Sequence, residues 1–323
     1  MSSASAPESG SAAWRGAALI LLAGALWSFQ GLIIRLIEVA SPEQIVFWRN
    51  LGQFAALMAA LAYRSRGRVV RAFRVAGPVA VLGGLCQMTS SVSVVYAFVN
   101  TTVANVVFIL SAAPFMAAAL AWIFLGERLG RATLLVMSAG LMGVAVMMAE
   151  GLAGGGLAGN LYALVCALGF AALSVVLRWG RRVDMLPAVC WGGGLGTVAG
   201  LALCGGEVGV PLGDGLLAVA MGAALVGFGF VAFTAGARYV PAGVLVFLSL
   251  SEVVLAPLWA WIGVDEVPSR LTLVGGAIVL GAIVLEASAN LRRLRAYSGA
   301  KPAPAPSPGR PLNPKRRQKG GKR

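Results

Sequence analysis

The chain has 323 residues, of which 59% are hydrophobic and 12% charged, with a mean hydropathy of +0.84 and a net charge of +14. A soluble domain carries about 25% charged residues, so this composition excludes an ordinary soluble enzyme or binding domain. The chain lacks histidine, which excludes imidazole catalysis and imidazole metal sites, and its lysines all lie from Lys301 onward, which excludes a P-loop lysine.

The apolar residues come in runs of roughly 20, the length a helix needs to cross ~30 Å of hydrocarbon. Ten such runs fall near 16–36, 44–63, 77–98, 102–125, 132–150, 158–178, 187–205, 215–237, 241–263 and 271–289. They predict an all-α membrane protein with ten transmembrane helices. Residues 1–15 read as a cytoplasmic segment, and the first run as an uncleaved span rather than a signal peptide, because nine more follow. The first run carries Trp27 and Gln30; the second carries Phe47-Trp48-Arg49-Asn50, with Arg49 about two turns in. Gln87, Ser90, Ser91 and Tyr96 follow in the third run and Asn105 in the fourth. A Gly-rich stretch, 151–157, reads as a flexible link. Gly192, Gly196 and Gly200 in the seventh run have the four-residue spacing of close helix packing. The ninth run holds Ser249-Leu250-Ser251-Glu252, and the tenth ends near Glu286. Residues 291–323, Pro-rich and then basic, read as a disordered tail that touches anionic headgroups rather than nucleic acid. Cys86, Cys166, Cys190 and Cys204 all lie in apolar runs without metal-ligand spacing and read as packing residues.

Charge placement orients the runs. With the N-terminus inside, 23 of the 26 Lys and Arg residues fall on the cytoplasmic side, which predicts that both termini are cytoplasmic. Most loop acids (Glu38, Glu43, Glu207, Asp214, Asp265, Glu266) fall on the other side. A missed or extra span would scramble this sorting from that point on.

The chain also repeats itself. Shifted by 139 positions without a gap, residues 107–134 keep ten of 28 identities, among them Trp122/Trp261, Ile123/Ile262, Glu127/Glu266, Arg131/Arg270 and Thr133/Thr272. Weaker echoes pair Trp27 with Phe170 and Arg35 with Arg178. The unit is five runs long, and an odd number makes the second copy enter the bilayer from the opposite face. Two inverted five-helix repeats, 16–150 and 158–290, are therefore expected, an arrangement that recurs in secondary transporters.

Ionisable groups deep in a bilayer are costly and are functional candidates by default. Arg49 has two readings: a helix lock that pairs with carbonyls, or a cation that receives an anionic group of a solute. Its repeat counterpart is Gly194, so the halves differ here. Glu252, whose counterpart is Ala113, is either a neutral acid bonded between helices, a proton-exchanging group, or a partner for a solute amine. Trp27, Gln30, Trp48, Tyr96, Asn105 and Ser249 are the further candidates for lining a solute cavity. No catalytic residue, metal ligand or cofactor is expected. The oligomeric state is not legible.

Phe124-Leu125-Gly126-Glu127-Arg128-Leu129, preceded by Pro114 and Ala121-Trp122-Ile123, resembles the end of the fourth helix in EamA-type repeats of the drug/metabolite transporter superfamily. Ser249-Leu250-Ser251-Glu252 with Ala260-Trp261 and Asp265-Glu266 resembles the matching helix of the second repeat. Ala25-Leu26-Trp27 and Arg49 resemble features of the family's first two helices. The chain departs from that pattern at Val253, where proline usually follows the glutamate, and at Gly263-Val264-Asp265, which replaces Phe-Leu-Gly. The resemblance implies a central cavity and transport, often export, of metabolites such as amino acids across the cytoplasmic (inner) membrane. Uptake of a nucleotide-like or vitamin-like solute, or a non-transporting receptor or scaffold, are the competing expectations.

Overall fold

A computed structural model describes residues 8–126, 131–154, 156–180, 183–236 and 242–299, excepting the side chains at 8–13, 125, 131–133, 150–154, 242–250 and 286–299. Among the described residues there is no strand. In hydrocarbon each backbone N–H and C=O must be satisfied within its own segment, and a helix does this for a single apolar run.

The helices are α1 (Glu8–Ser28), α2 (Gln30–Leu36), α3 (Pro42–Arg64), α4 (Val69–Asn100), α5 (Val103–Leu110), α6 (Ala113–Leu125) and α7 (Arg131–Gly154). They continue with α8 (Leu157–Trp179), α9 (Leu186–Leu203), α10 (Leu212–Ala220), a π-helical turn Met221–Gly227, α11 (Phe228–Gly236), α12 (Ala242–Val264) and α13 (Arg270–Gly299). Among the described residues, seven helical stretches are long and apolar enough to cross a membrane: Trp14–Leu36, Pro42–Arg64, Val69–Asn100, Val103–Phe124, Leu157–Trp179, Leu186–Leu203 and Leu212–Gly236. Leu134–Ala149, Ser251–Val264 and Arg270–Leu285 are shorter apolar helices. Large apolar side chains face outward along them, Leu135 at 73%, Val198 at 63% and Leu285 at 64% exposure. Such a surface suits lipid and would aggregate in water.

Local chemistry sets the ends. Ser41 caps α3 in a reciprocal capping box with Gln44, with Pro42 at the first helical position. Thr102 caps α5 by accepting from the Asn105 N–H at 3.2 Å. Gly126 ends α6 in the left-handed region at φ 68°. The first run is interrupted at Phe29 and the fourth at Ser111–Ala112. The start of α4 is hinged at Gly77 (φ 63°, ψ −160°), just before Pro78.

Two expected boundaries move. The stretch 151–157 is helical through Gly154, and α8 resumes at Leu157, because apolar surroundings favour internal backbone bonding even across glycines. Similarly, α13 continues past residue 290 to Gly299, since Leu-Arg-Arg-Leu-Arg-Ala is a strong helix-forming sequence. Lys301–Arg323, expected to be disordered, lie outside the described residues.

Helix partnerships come in related pairs. α1 packs on α11 while α4 packs on α8, and α12 packs on α1 and α2 while α5 and α6 pack on α8. α3 packs on α9, and α7 on α13. Small residues permit the closest of these contacts. A Cβ on Gly143 would come within 2.6 Å of the Gly275 carbonyl oxygen. One on Gly200 would stand 2.5 Å from the Phe47 nitrogen and 2.6 Å from its Cα. Alanine is the better helix former by about 1 kcal/mol in isolation. Yet Gly200→Ala forces α9 off the backbone of α3, and overpacking of this kind costs ~1–3 kcal/mol. Gly200→Ala is therefore expected to lower the melting temperature in detergent. Gly213→Ala in α10, where nothing lies within 4 Å of the added carbon, should leave it unchanged or raise it.

Candidate solute-binding site

The break at Phe29 restarts the chain as α2 with Gln30, which turns its side chain toward α3. Arg49 meets it there, about two turns into α3 and only 3% exposed. Its Nη2 donates to Gln30 Oε1 at 2.7 Å. Its Nη1 donates to Ser91 Oγ at 2.7 Å and to the Ser91 carbonyl at 3.3 Å. Ser91 Oγ donates onward to Asn50 Oδ1 at 2.7 Å, and Asn50 Nδ2 donates to the Val46 carbonyl at 2.8 Å. Arg49 Nε has no partner among the described residues. The ion pairs found there are Arg35–Glu266 and Arg64–Asp184, so the Arg49 cation is met by neutral oxygens only.

One helical turn from Arg49 and Ser91, on the same faces of α3 and α4, lie Gln53 and Gln87, and Trp27 stands three residues before Gln30 at the end of α1. Trp27 Nε1, both polar atoms of Gln53 and Gln87 Oε1 are buried without a partner among the described residues. Buried polar groups are nearly always paired, so a layer of unmet donors and acceptors beside an uncompensated cation is a concentration of binding capacity. The Trp27 ring packs against Phe230 and Phe233 at centroid distances of 5.1 and 5.5 Å, giving the layer an apolar wall. Gly222, in the π-helical turn, abuts the Arg49 carbonyl, and added bulk there would collide with it. The π turn thus fits α3 closely at the level of Arg49.

Glu252 lies on α12, whose backbone there runs against Gly24 of α1: a Cβ on Gly24 would be 3.6 Å from the Glu252 nitrogen. Its carboxyl has no hydrogen-bond or ion-pair partner among the described residues. Cys166 of α8 is buried against Ser90 (Sγ–Oγ 3.3 Å) and within electrostatic reach of both Arg49 and Glu252. Among the described residues Arg49 and Glu252 form no ion pair with each other. The Ser249 side chain lies outside the described residues, as do those of Glu127 and Glu286.

The remaining candidates stand elsewhere, in a polar layer at one end of the helices. Trp48 Nε1 donates to the Val208 carbonyl at 2.9 Å. Tyr96 donates its hydroxyl to Glu43 Oε1 at 2.9 Å and stacks on Tyr162 at 5.1 Å. Asn105, in the first turn of α5, donates to Thr101 Oγ1 and Asn160 Oδ1 and accepts from Thr272. Beside them Arg35 holds Glu266 at 2.8 Å and the Thr101 carbonyl at 2.7 Å, while the other Glu266 oxygen accepts the Val103 N–H. Asp214 accepts the N–H groups of Val39 and Ala40 at 2.9 and 2.8 Å. This knot ties α2, α5, α8, α10 and the α12–α13 turn. Residue spacing alone marks neither Asn160 nor the pairing of Arg35 with Glu266. The signal lay in the repeat, which matches Arg35 to Arg178 and Glu266 to Glu127.

A family model described as the EamA-like transporter family matches residues 14–149 and again 157–287. No curated protein matches the chain. One solved crystal structure superposes with a TM-score of 0.61 over 88% of this chain and 99% of its own, at 23% sequence identity, a likeness that shows the fold.

Proposed function

We propose, from the premise that the chain belongs to the EamA-like transporter family and is a multi-pass membrane transporter of small solutes, that its cargo is a small amphipathic metabolite such as an amino acid, exported by alternating access. The observation that carries this reading is the buried Arg49 cation with neutral partners only, bordered by the unmet polar atoms of Trp27, Gln53 and Gln87. A solute carboxylate supplies the missing anion, and the apolar wall of Trp27, Phe230 and Phe233 accommodates a side chain. Glu252, without a partner among the described residues, suits the solute amine or a proton exchanged for it.

Ten spans in two inverted repeats, 16–150 and 158–290, are part of the proposal. The family model matches twice, and the helix partnerships pair off between the halves, which supports two related repeats; an odd number of spans in each would invert the second. The knot of Arg35, Glu266 and Thr101 joins both halves at the end read as external, so it is the contact that opens when the site faces outward. Both termini then lie in the cytoplasm of a cell bounded by this membrane. A reporter fused after Arg323 that works only in the cytoplasm should be active, and activity of a reporter that works only outside would reverse the orientation.

The cargo is tested by counterflow. Proteoliposomes preloaded with one member of a metabolite panel should exchange labelled zwitterionic or anionic amphipathic solutes. Exchange confined to cations lacking an acidic group would be the result against this reading.

A further inference from the structure

At the end opposite the knot, the turn between α3 and α4 forms an open pocket of about 400 Å³ lined by Ser65, Arg68, Arg71, Ala72, Val75 and Asp184. Its one acid is already engaged: Asp184 Oδ2 is 3.1 Å from Arg64 Nη2, and its Oδ1 accepts the Leu186 N–H at 3.1 Å. Arg68 and Arg71 have no side-chain hydrogen-bond or ion-pair partner among the described residues, so the pocket keeps a net positive rim. Ala72 and Val75, on the same helical face as the two arginines, give the pocket an apolar lining, and Val70 and Val75 are 65% and 57% exposed. This short segment is set apart from the rest of α4 by the break at Gly77 and anchored by Phe73, edge-on to Trp191 at 5.7 Å.

Two guanidiniums beside apolar side chains on one helical face, at the end of a helix bundle with a lipid-facing surface, match a phosphate that carries acyl chains. Arginine binds phosphate oxygens through paired N–H donors, and the valines give the first methylenes a surface. We infer that this pocket binds the phosphate headgroup of an anionic phospholipid in the leaflet at that end. The site is separate from the Arg49 layer and does not depend on the cargo.

The test is native mass spectrometry of the full chain in detergent, titrated with phosphatidylglycerol, phosphatidylcholine or inorganic phosphate. The wild type should retain phosphatidylglycerol and not phosphatidylcholine. Each arginine near an anionic headgroup contributes about fivefold, so R68Q/R71Q should bind it about 25-fold more weakly, while R68K/R71K keeps most of the affinity. Should the glutamine pair fail to fold, Ala72→Glu, which puts an acid in the pocket wall, should remove the retained lipid instead. Undiminished phosphatidylglycerol retention in either folded variant overturns the assignment. Inorganic phosphate that competes at the same concentration as the lipid also overturns it, because the ligand is then a soluble phosphate.

Discussion

Arg49→Gln is expected to weaken solute binding a hundredfold or more and to stop transport, while the protein still folds. Truncating one partner of a buried, hydrogen-bonded charge pair costs about 2–5 kcal/mol, and a hundredfold is about 2.7 kcal/mol. Glutamine keeps a polar side chain but carries no charge, so it removes the cation without leaving an unpaired charge buried between Gln30 and Ser91. Arg49→Lys retains the charge but not the fork that spans both partners, so partial transport with weaker binding is the expected result. The competing reading is that Arg49 only clasps α2, α3 and α4 together through Gln30 and Ser91. Measuring melting temperature and solute affinity on the same preparations separates the two. If Arg49→Gln melts far earlier while its folded fraction binds solute with unchanged affinity, the clasp is the whole role.

The sequence made some of this site legible and hid the rest for physical reasons. Hydropathy gives the depth of a residue to within about a turn, because a span is simply a run long enough to cross the hydrocarbon. That places Arg49, Gln30 and Ser91 at compatible depths. It does not say which faces meet, since that is set by helix rotation and by where small residues let backbones approach. Gly196 against Asn50 and Gly200 against Phe47 fix α9 on α3, a contact that the four-residue glycine spacing announced without naming its partner. Trp48, Tyr96 and Asn105 lie in apolar runs as Arg49 does, yet belong to the polar end layer, where capping and loop contacts hold them. The break at Ser111–Ala112 has a local cause, since Pro114 has no N–H to bond the Leu110 carbonyl and its ring crowds that oxygen; the break at Phe29 has no proline near it, and Phe29 there stacks on Trp259 at 4.8 Å. The distant pair Arg35–Glu266 was visible only as two separate repeat matches, because nothing local couples residues 231 positions apart.

Glu252→Gln is expected to abolish the response of transport to a pH gradient while leaving solute exchange measurable. Glutamine has the size and hydrogen-bonding capacity of a neutral carboxyl but has no proton to release. The carboxyl has no protein partner among the described residues, and it lies on α12 where that helix runs against α1 at Gly24. An acid so placed can couple two events: a solute that brings its own charge to Arg49 changes the field at Glu252 and hence the occupancy of its proton. Coupling of one proton per solute allows a gradient of one pH unit to support about tenfold accumulation, equivalent to about 1.36 kcal/mol. In proteoliposomes with and without an imposed gradient, the wild type should approach that factor and Glu252→Gln should stay at unity. Exchange at equal pH on both sides should survive in the variant, since the solute carboxylate still meets Arg49. A wild type indifferent to the gradient, or a variant that still follows it, removes the proton role from Glu252. The carboxyl is then left as a partner for the solute amine, and a loss of affinity confined to solutes bearing an amine would show that role directly.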